Sequence, residues 1–108
     1  MGRHGLGELP QAVMLEILRL GAEAYGVPIR SSLSQRLKRG VSFSAVYTVL
    51  ERLEANGFIS SYLGDPTPER GGRAKRFYKV EAKGREALND AHATAQSLWN
   101  GALGEVMS

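Results

Sequence analysis

The 108-residue chain has no cysteine, which excludes disulfides and thiolate metal sites and fits a reducing compartment. It also has no apolar run near the roughly 18 residues of a membrane-spanning helix. The opening Met1-Gly2-Arg3-His4-Gly5-Leu6-Gly7 is not followed by a signal-peptide core. A cytoplasmic protein with no membrane partner is the expectation. Histidine is scarce, with only His4 and His92 standing far apart along the chain. No carboxylate pair, no nucleophile beside a base and no glycine-rich phosphate loop after a strand is visible. The reading therefore assigns no catalytic residue, no metal ligand and no cofactor. An enzyme is not expected.

What the chain does hold is an ordinary globular composition, 43% hydrophobic and 23% charged, enough for one domain with a modest core. At this length, association with a second copy is a common way to bury more apolar surface. The charge is unevenly spread. Residues 1–80 carry 12 Lys/Arg against 7 Asp/Glu, whereas residues 81–108 carry 2 against 4. A polyanion on one side of the molecule would suit that asymmetry.

The organising stretch is Val41 to Gly57, which reads as a helix with both ends signalled. Ser42 or Ser44 can accept a hydrogen bond from a first-turn amide, and Asn56-Gly57 suits a left-handed stop. Val46, Val49, Leu50 and Leu53 recur at helical spacing and make a buried stripe. The opposite face carries Ser44, Ala45, Thr48 and Arg52, with Tyr47 at its margin. These small or hydrogen-bonding groups can press against a polar surface, although a solvated helix face has the same composition.

Around that helix the remaining elements follow in order. Residues 1–8 are glycine-rich and aperiodic, so a flexible tail is expected. Leu9-Pro10 opens a helix with Val13, Met14, Ile17, Leu18 and Leu20, too apolar for a narrow surface stripe, and Gly21 ends it. Tyr25-Gly26-Val27-Pro28 starts a second helix with Ile29, Leu33 and Leu37 on one face. Arg39-Gly40-Val41-Ser42 turns into the organising helix, giving a helix-turn-helix pattern. The period then changes. Phe58 to Leu63 and Lys75 to Val80 read as two strands around a proline- and glycine-rich loop, Gly64 to Ala74. A hairpin in this place is a wing. Its Arg70, Arg73, Lys75 and Arg76 can neutralise phosphates, although the same charges would also guard a sheet edge. Ala82 to about Val106 reads as one helix with Leu88, Ala91, Ala95, Leu98, Trp99 and Ala102 along one side. That stripe is longer than so small a domain can cover, and a homodimer seam is its expected use.

The fold expected is mainly α with a small β-hairpin. Residues 9–81 form a winged helix-turn-helix domain, and residues 82–108 form a C-terminal dimerisation helix. With these elements in sequence, the chain resembles the PadR family of bacterial transcriptional regulators from about Leu9 to Leu103. The residues that carry the likeness are Ala24-Tyr25-Gly26, Ser42-Phe43-Ser44-Ala45-Val46-Tyr47, Leu50-Glu51-Arg52-Leu53-Glu54, Asn56-Gly57-Phe58-Ile59 and Arg73-Ala74-Lys75-Arg76-Phe77-Tyr78. The single terminal helix is similar to that of the short-tailed members.

The resemblance implies a dimer on double-stranded DNA, usually a repressor at a dyad-symmetric operator that a small molecule releases. Ser44, Ala45 and Thr48 would then face base edges, with Tyr47 and Arg52 on phosphates and the wing cations on the backbone or minor groove. Some members receive flat aromatic effectors at the dimer interface, and Trp99 is placed either to stack on one or to pack in the seam. Members commonly have glycine where Ser44 stands and proline where Thr48 stands, so the operator need not match theirs. A winged helix that binds protein instead of DNA is the alternative from another class. It would show no salt-steep binding to any duplex.

Overall fold

The computed structural model describes residues 6–64 and 74–107, with side chains to residue 104. Three helices, a two-stranded hairpin and a C-terminal helical segment follow one another as α1 (Glu8–Leu20), α2 (Gly26–Leu37), α3 (Phe43–Ala55), β1 (Ile59–Leu63), β2 (Arg76–Val80), α4 (Ala82–Trp99) and α5 (Ala102–Met107). Helix α1 packs on α2, α3 and β2 and so occupies the centre of the domain. Val13, Met14 and Ile17 of α1 meet Ile29 and Leu33 of α2, Val46, Leu50 and Leu53 of α3, and Ile59, Tyr78 and Val80 of the hairpin in one core. Leu15 and Leu18 point outward from α1. Of the tail expected over residues 1–8, the first five lie outside the described residues. Leu6 already packs against the core, where its carbonyl accepts a 2.7 Å bond from Gln11 Nε2.

One buried residue breaks the apolar rule. Glu16 is fully buried, between Leu15 and Ile17 in the most apolar part of α1. Its carboxylate accepts bonds from Ser32 Oγ at 2.7 Å, Arg36 Nε at 2.5 Å and Arg19 Nη1 at 3.1 Å. A buried carboxylate must be paired and hydrogen-bonded to remain charged, and here the pairing fastens α1 to α2. The sequence reading passed over Glu16, although a lone acid inside an apolar run was the available signal.

The helix ends are set by local chemistry. Ser42 caps α3, its hydroxyl accepting from the Ala45 amide at 3.1 Å. At the other end Gly57 takes φ 79°. The Gly57 and Phe58 amides bond back to the carbonyls of Glu54 and Leu53, a Schellman closure. Helix α2 ends in the same way, with the Lys38 amide on Gln35 and the Arg39 amide on Ser34. There the left-handed residue is Lys38, at φ 57°, and not the nearby Gly40. Pro28 falls in the first turn of α2, where its missing amide leaves no helical bond unmade.

The hairpin pairs Ile59 with Val80 through to Leu63 with Arg76 in antiparallel register. A bridge between Tyr25 and Phe77, with the Tyr78 amide bonded to the Ala24 carbonyl at 2.9 Å, adds a third position to this sheet. Each strand is one residue shorter than expected, beginning at Ile59 and Arg76.

Helix α4 is seated at its start and free afterwards. Gly84 is buried, and a β-carbon there would meet the Phe58 carbonyl oxygen at 2.3 Å, so only glycine allows this approach. Glu81 precedes α4 without capping it by its side chain; its carboxylate accepts a bond from the Ser60 hydroxyl instead. The single helix expected from Ala82 to Val106 is in fact two. Asn100 leaves helical geometry at ψ 115° and Gly101 takes φ 74°, which closes α4 at Trp99 before α5 begins. Glycine is the residue for which that left-handed conformation carries no steric cost.

Candidate nucleic-acid interface

The turn between α2 and α3 is held from the α2 side. The Val41 amide donates to Ser34 Oγ at 3.2 Å, and Arg30 Nε donates to the Val41 carbonyl at 2.8 Å. The same Arg30 guanidinium lies 4.7 Å from the centre of the Phe43 ring. One turn along α3, the Tyr47 ring lies nearly parallel to Phe43, with centroids 6.1 Å apart and planes at 20°. Its hydroxyl comes in over the buried Gly26. Gly26 and Arg30 are thus one turn apart on α2 and meet Tyr47 and Phe43, one turn apart on α3. Two rungs fix the second helix of the motif to the first.

With α3 held in this way, the expected reading face separates into parts. Ser44 and Thr48 are exposed on the side away from the buried Val46, Leu50 and Leu53. Ala45 is half-buried and packs against the core. Tyr47 lies on the α2 flank, and Arg52 lies on the opposite flank. There Arg52 borders a groove of about 890 Å³ between the start of α1, the end of α3 and α4. Val49, Leu53, Phe58 and Ala91 supply apolar lining, and Lys83, Glu86 and Asp90 join Arg52 among the charged groups. Lys83 Nζ donates to the Asn56 carbonyl at 2.7 Å, placing a cation at the negative end of α3.

The wing is tied to the same helix. Ser61 Oγ donates to Glu54 Oε2 at 2.7 Å and accepts from Arg76 Nη1 at 3.0 Å. Arg76 is therefore oriented by a hydroxyl that α3 itself orients. Lys75 extends elsewhere, with its ammonium 4.7 Å from the centre of the Tyr25 ring. Tyr25 meets Phe77 edge to face at 5.4 Å, and Tyr62 stacks on Phe77 at 5.6 Å, so aromatic rings cross the sheet from the bridge to β1. Arg70 and Arg73 lie outside the described residues. Burial, then the charge of Tyr47, pushes the Tyr78 phenol above its ordinary value of 10.0.

The family model for the "Transcriptional regulator PadR-like family" matches residues 14–90. The chain belongs to this family. In this PadR-like protein the matched span runs from α1 through the hairpin into the first half of α4. Solved structures share the fold. A PadR-like transcription factor of Bacteroides fragilis is 23% identical, with a TM-score of 0.70, over 91% of this chain and 88% of the other. A PadR family regulator of Clostridium difficile R20291 is 16% identical, with a TM-score of 0.65, over 94% and 100%. One from Eggerthella lenta DSM 2243 is 22% identical, with a TM-score of 0.63, over 91% and 85%. No curated protein matches the chain.

The expected seam of this PadR-like chain is unevenly placed. Leu88 packs against the core, Ala91 lines the groove, and Ala102 is half-buried at the start of α5. Ala95 is exposed, and so are Leu98 and Trp99, at 74% and 64%. Gly26, Phe43 and Ser61 enter this arrangement through contacts with other elements, which periodicity alone did not single out. No helix is long and apolar enough to cross a membrane among the described residues.

Proposed function

We propose that this PadR-like protein is a sequence-specific regulator that binds double-stranded DNA as a homodimer in the bacterial cytoplasm. It acts as a repressor at a dyad-symmetric operator and is released by a small aromatic effector. The supporting observation is the exposed Ser44 and Thr48 face on an α3 helix clamped to α2 and tied to a cationic wing. Recognition helices of this kind enter successive major grooves about 34–36 Å apart. Ser44, Thr48 and the partly covered Ala45 meet base edges. Tyr47 and Arg52, on opposite flanks, meet the two phosphate walls of the groove. Arg76 and Lys75, with Arg70 and Arg73, grip the backbone beside it.

Dimerisation is supported by Leu98, Trp99 and Leu103, three large apolar side chains left exposed at the end of α4 and in α5. Covering each would contribute roughly 1.5–3 kcal/mol. Trp99 packs in that seam, and stacking on a flat aromatic effector is the second reading of the same side chain.

The test is fluorescence-anisotropy binding to DNA upstream of the protein's own coding region and to a scrambled duplex, at several salt concentrations. Tighter, salt-steep binding to the upstream DNA supports the reading, and no binding to either at low salt overturns it. Calorimetric titration with candidate aromatics, with binding lost in Trp99→Ala, tests the effector.

A further inference from the structure

Phe43 is the first residue of α3, directly after the Ser42 cap, and the N-terminal residues of a recognition helix are the ones that reach base edges. It does not belong to the core cluster and keeps 40% of its surface exposed. Its ring is nonetheless held in place. The Arg30 guanidinium sits 4.7 Å from its centre and is itself anchored on the Val41 carbonyl, while Tyr47 stacks beside it. An exposed apolar ring between two hydroxyl residues, Ser42 and Ser44, is poorly suited to water. It is well suited to the one apolar group that a base pair displays in the major groove, the 5-methyl of thymine.

We propose that Phe43 is a specificity-determining residue that recognises a thymine methyl in each half-site. The proposal rests on the DNA-binding reading and adds to it a named base and a named atom. Arg30 is then a positioning residue: its bonds hold the Phe43 ring ready before the DNA arrives, so little side-chain freedom is lost on binding.

The test begins with a duplex selected by the wild-type protein from a randomised pool. Each thymine of that duplex is replaced in turn by deoxyuridine, which lacks only the methyl. The wild type is expected to lose about four-fold in affinity at one thymine per half-site, the worth of one buried methyl. Phe43→Ala is expected to bind the thymine and uracil duplexes equally well. A purely structural role for Phe43 would weaken both duplexes alike and leave the methyl effect intact.

A wild type indifferent to every replacement overturns the proposal without any variant having to fold. A Phe43→Ala protein that keeps the full methyl effect overturns it as well. A wild type that selects no duplex at all overturns the DNA-binding reading along with it, so the two failures are told apart.

Discussion

The Tyr47 hydroxyl occupies the space that a side chain on residue 26 would fill: a β-carbon built on Gly26 would lie 2.0 Å from that oxygen and 2.8 Å from the ring carbon bearing it. Neither distance is tolerable, so a methyl there must push the ring aside. Gly26→Ala is expected to leave stability within about 1 kcal/mol, since the part that moves is the far end of a side chain and alanine is the better helix former. DNA affinity is expected to fall several-fold. The loss should disappear when the same change is made on a Tyr47→Ala background, which a double-mutant cycle by anisotropy would show. An equal loss on both backgrounds would mean that Gly26 acts independently of Tyr47.

Lys38 closes α2 in a left-handed conformation that costs an L-residue roughly 1–2 kcal/mol. Glycine avoids that cost but brings about 0.5–1 kcal/mol of extra chain entropy to be lost on folding. Lys38→Gly is therefore expected to stabilise the fold by about 0.5–1 kcal/mol, read from the urea midpoint. Gly40→Ala, two residues further on, meets nothing within 4 Å and has no left-handed backbone to strain. It should not lower stability. If Lys38→Gly destabilised the protein, the lysine side chain would be contributing something that outweighs the backbone strain.

Tyr78 carries a stability cost at alkaline pH. Its folded pKa is raised by burial, so above pH 10 the unfolded chain releases this proton while the folded chain still holds it. Stability is full below the unfolded value of 10.0 and falls as pH rises through the folded value. Denaturant midpoints at pH 8 and pH 10.5 should differ more for the wild type than for Tyr78→Phe. The difference between the two proteins isolates Tyr78 from every other group. Equal differences would remove Tyr78 as the source.

Leu98 is three-quarters exposed, and Trp99 and Leu103 beside it are more than half exposed. If a second copy covers them, Leu98→Glu should keep the helical content while lowering the melting temperature and removing its dependence on protein concentration. It should also shift the protein from dimer to monomer in sedimentation. An unshifted dimer would place the seam elsewhere, with the outward Leu15 and Leu18 of α1 the next surface to substitute.

Most of this fold was legible because its cues are local. Apolar spacing located α1, α2 and α3, Gly57 marked the end of α3, and its cap was narrowed to Ser42 or Ser44, of which Ser42 serves. The changed period after Gly57 marked the hairpin. What escaped depended on partners distant in the chain. Glu16 looks like a flaw in an apolar helix until Ser32 and Arg36 are brought against it. Ser61 looks like strand filler until it joins Glu54 to Arg76. The break at Asn100 and Gly101 is not fixed by local cues, since glycine permits a left-handed residue without requiring one. The flanks of α3 were also coarser in sequence than in space: Tyr47, read as the margin of one face, lies against α2, and Arg52 lies on the opposite flank.

The clamp between α2 and α3 leaves two exposed positions of α3 outside its contacts. The angle of the helix pair is set by Arg30, Ser34 and Gly26 acting on Val41, Phe43 and Tyr47. Ser44 and Thr48 stand outside that clamp and outside the core. If α3 reads DNA as proposed, substitutions at these two positions would alter base contacts without disturbing the helix pair, whereas a change at Phe43 would alter both.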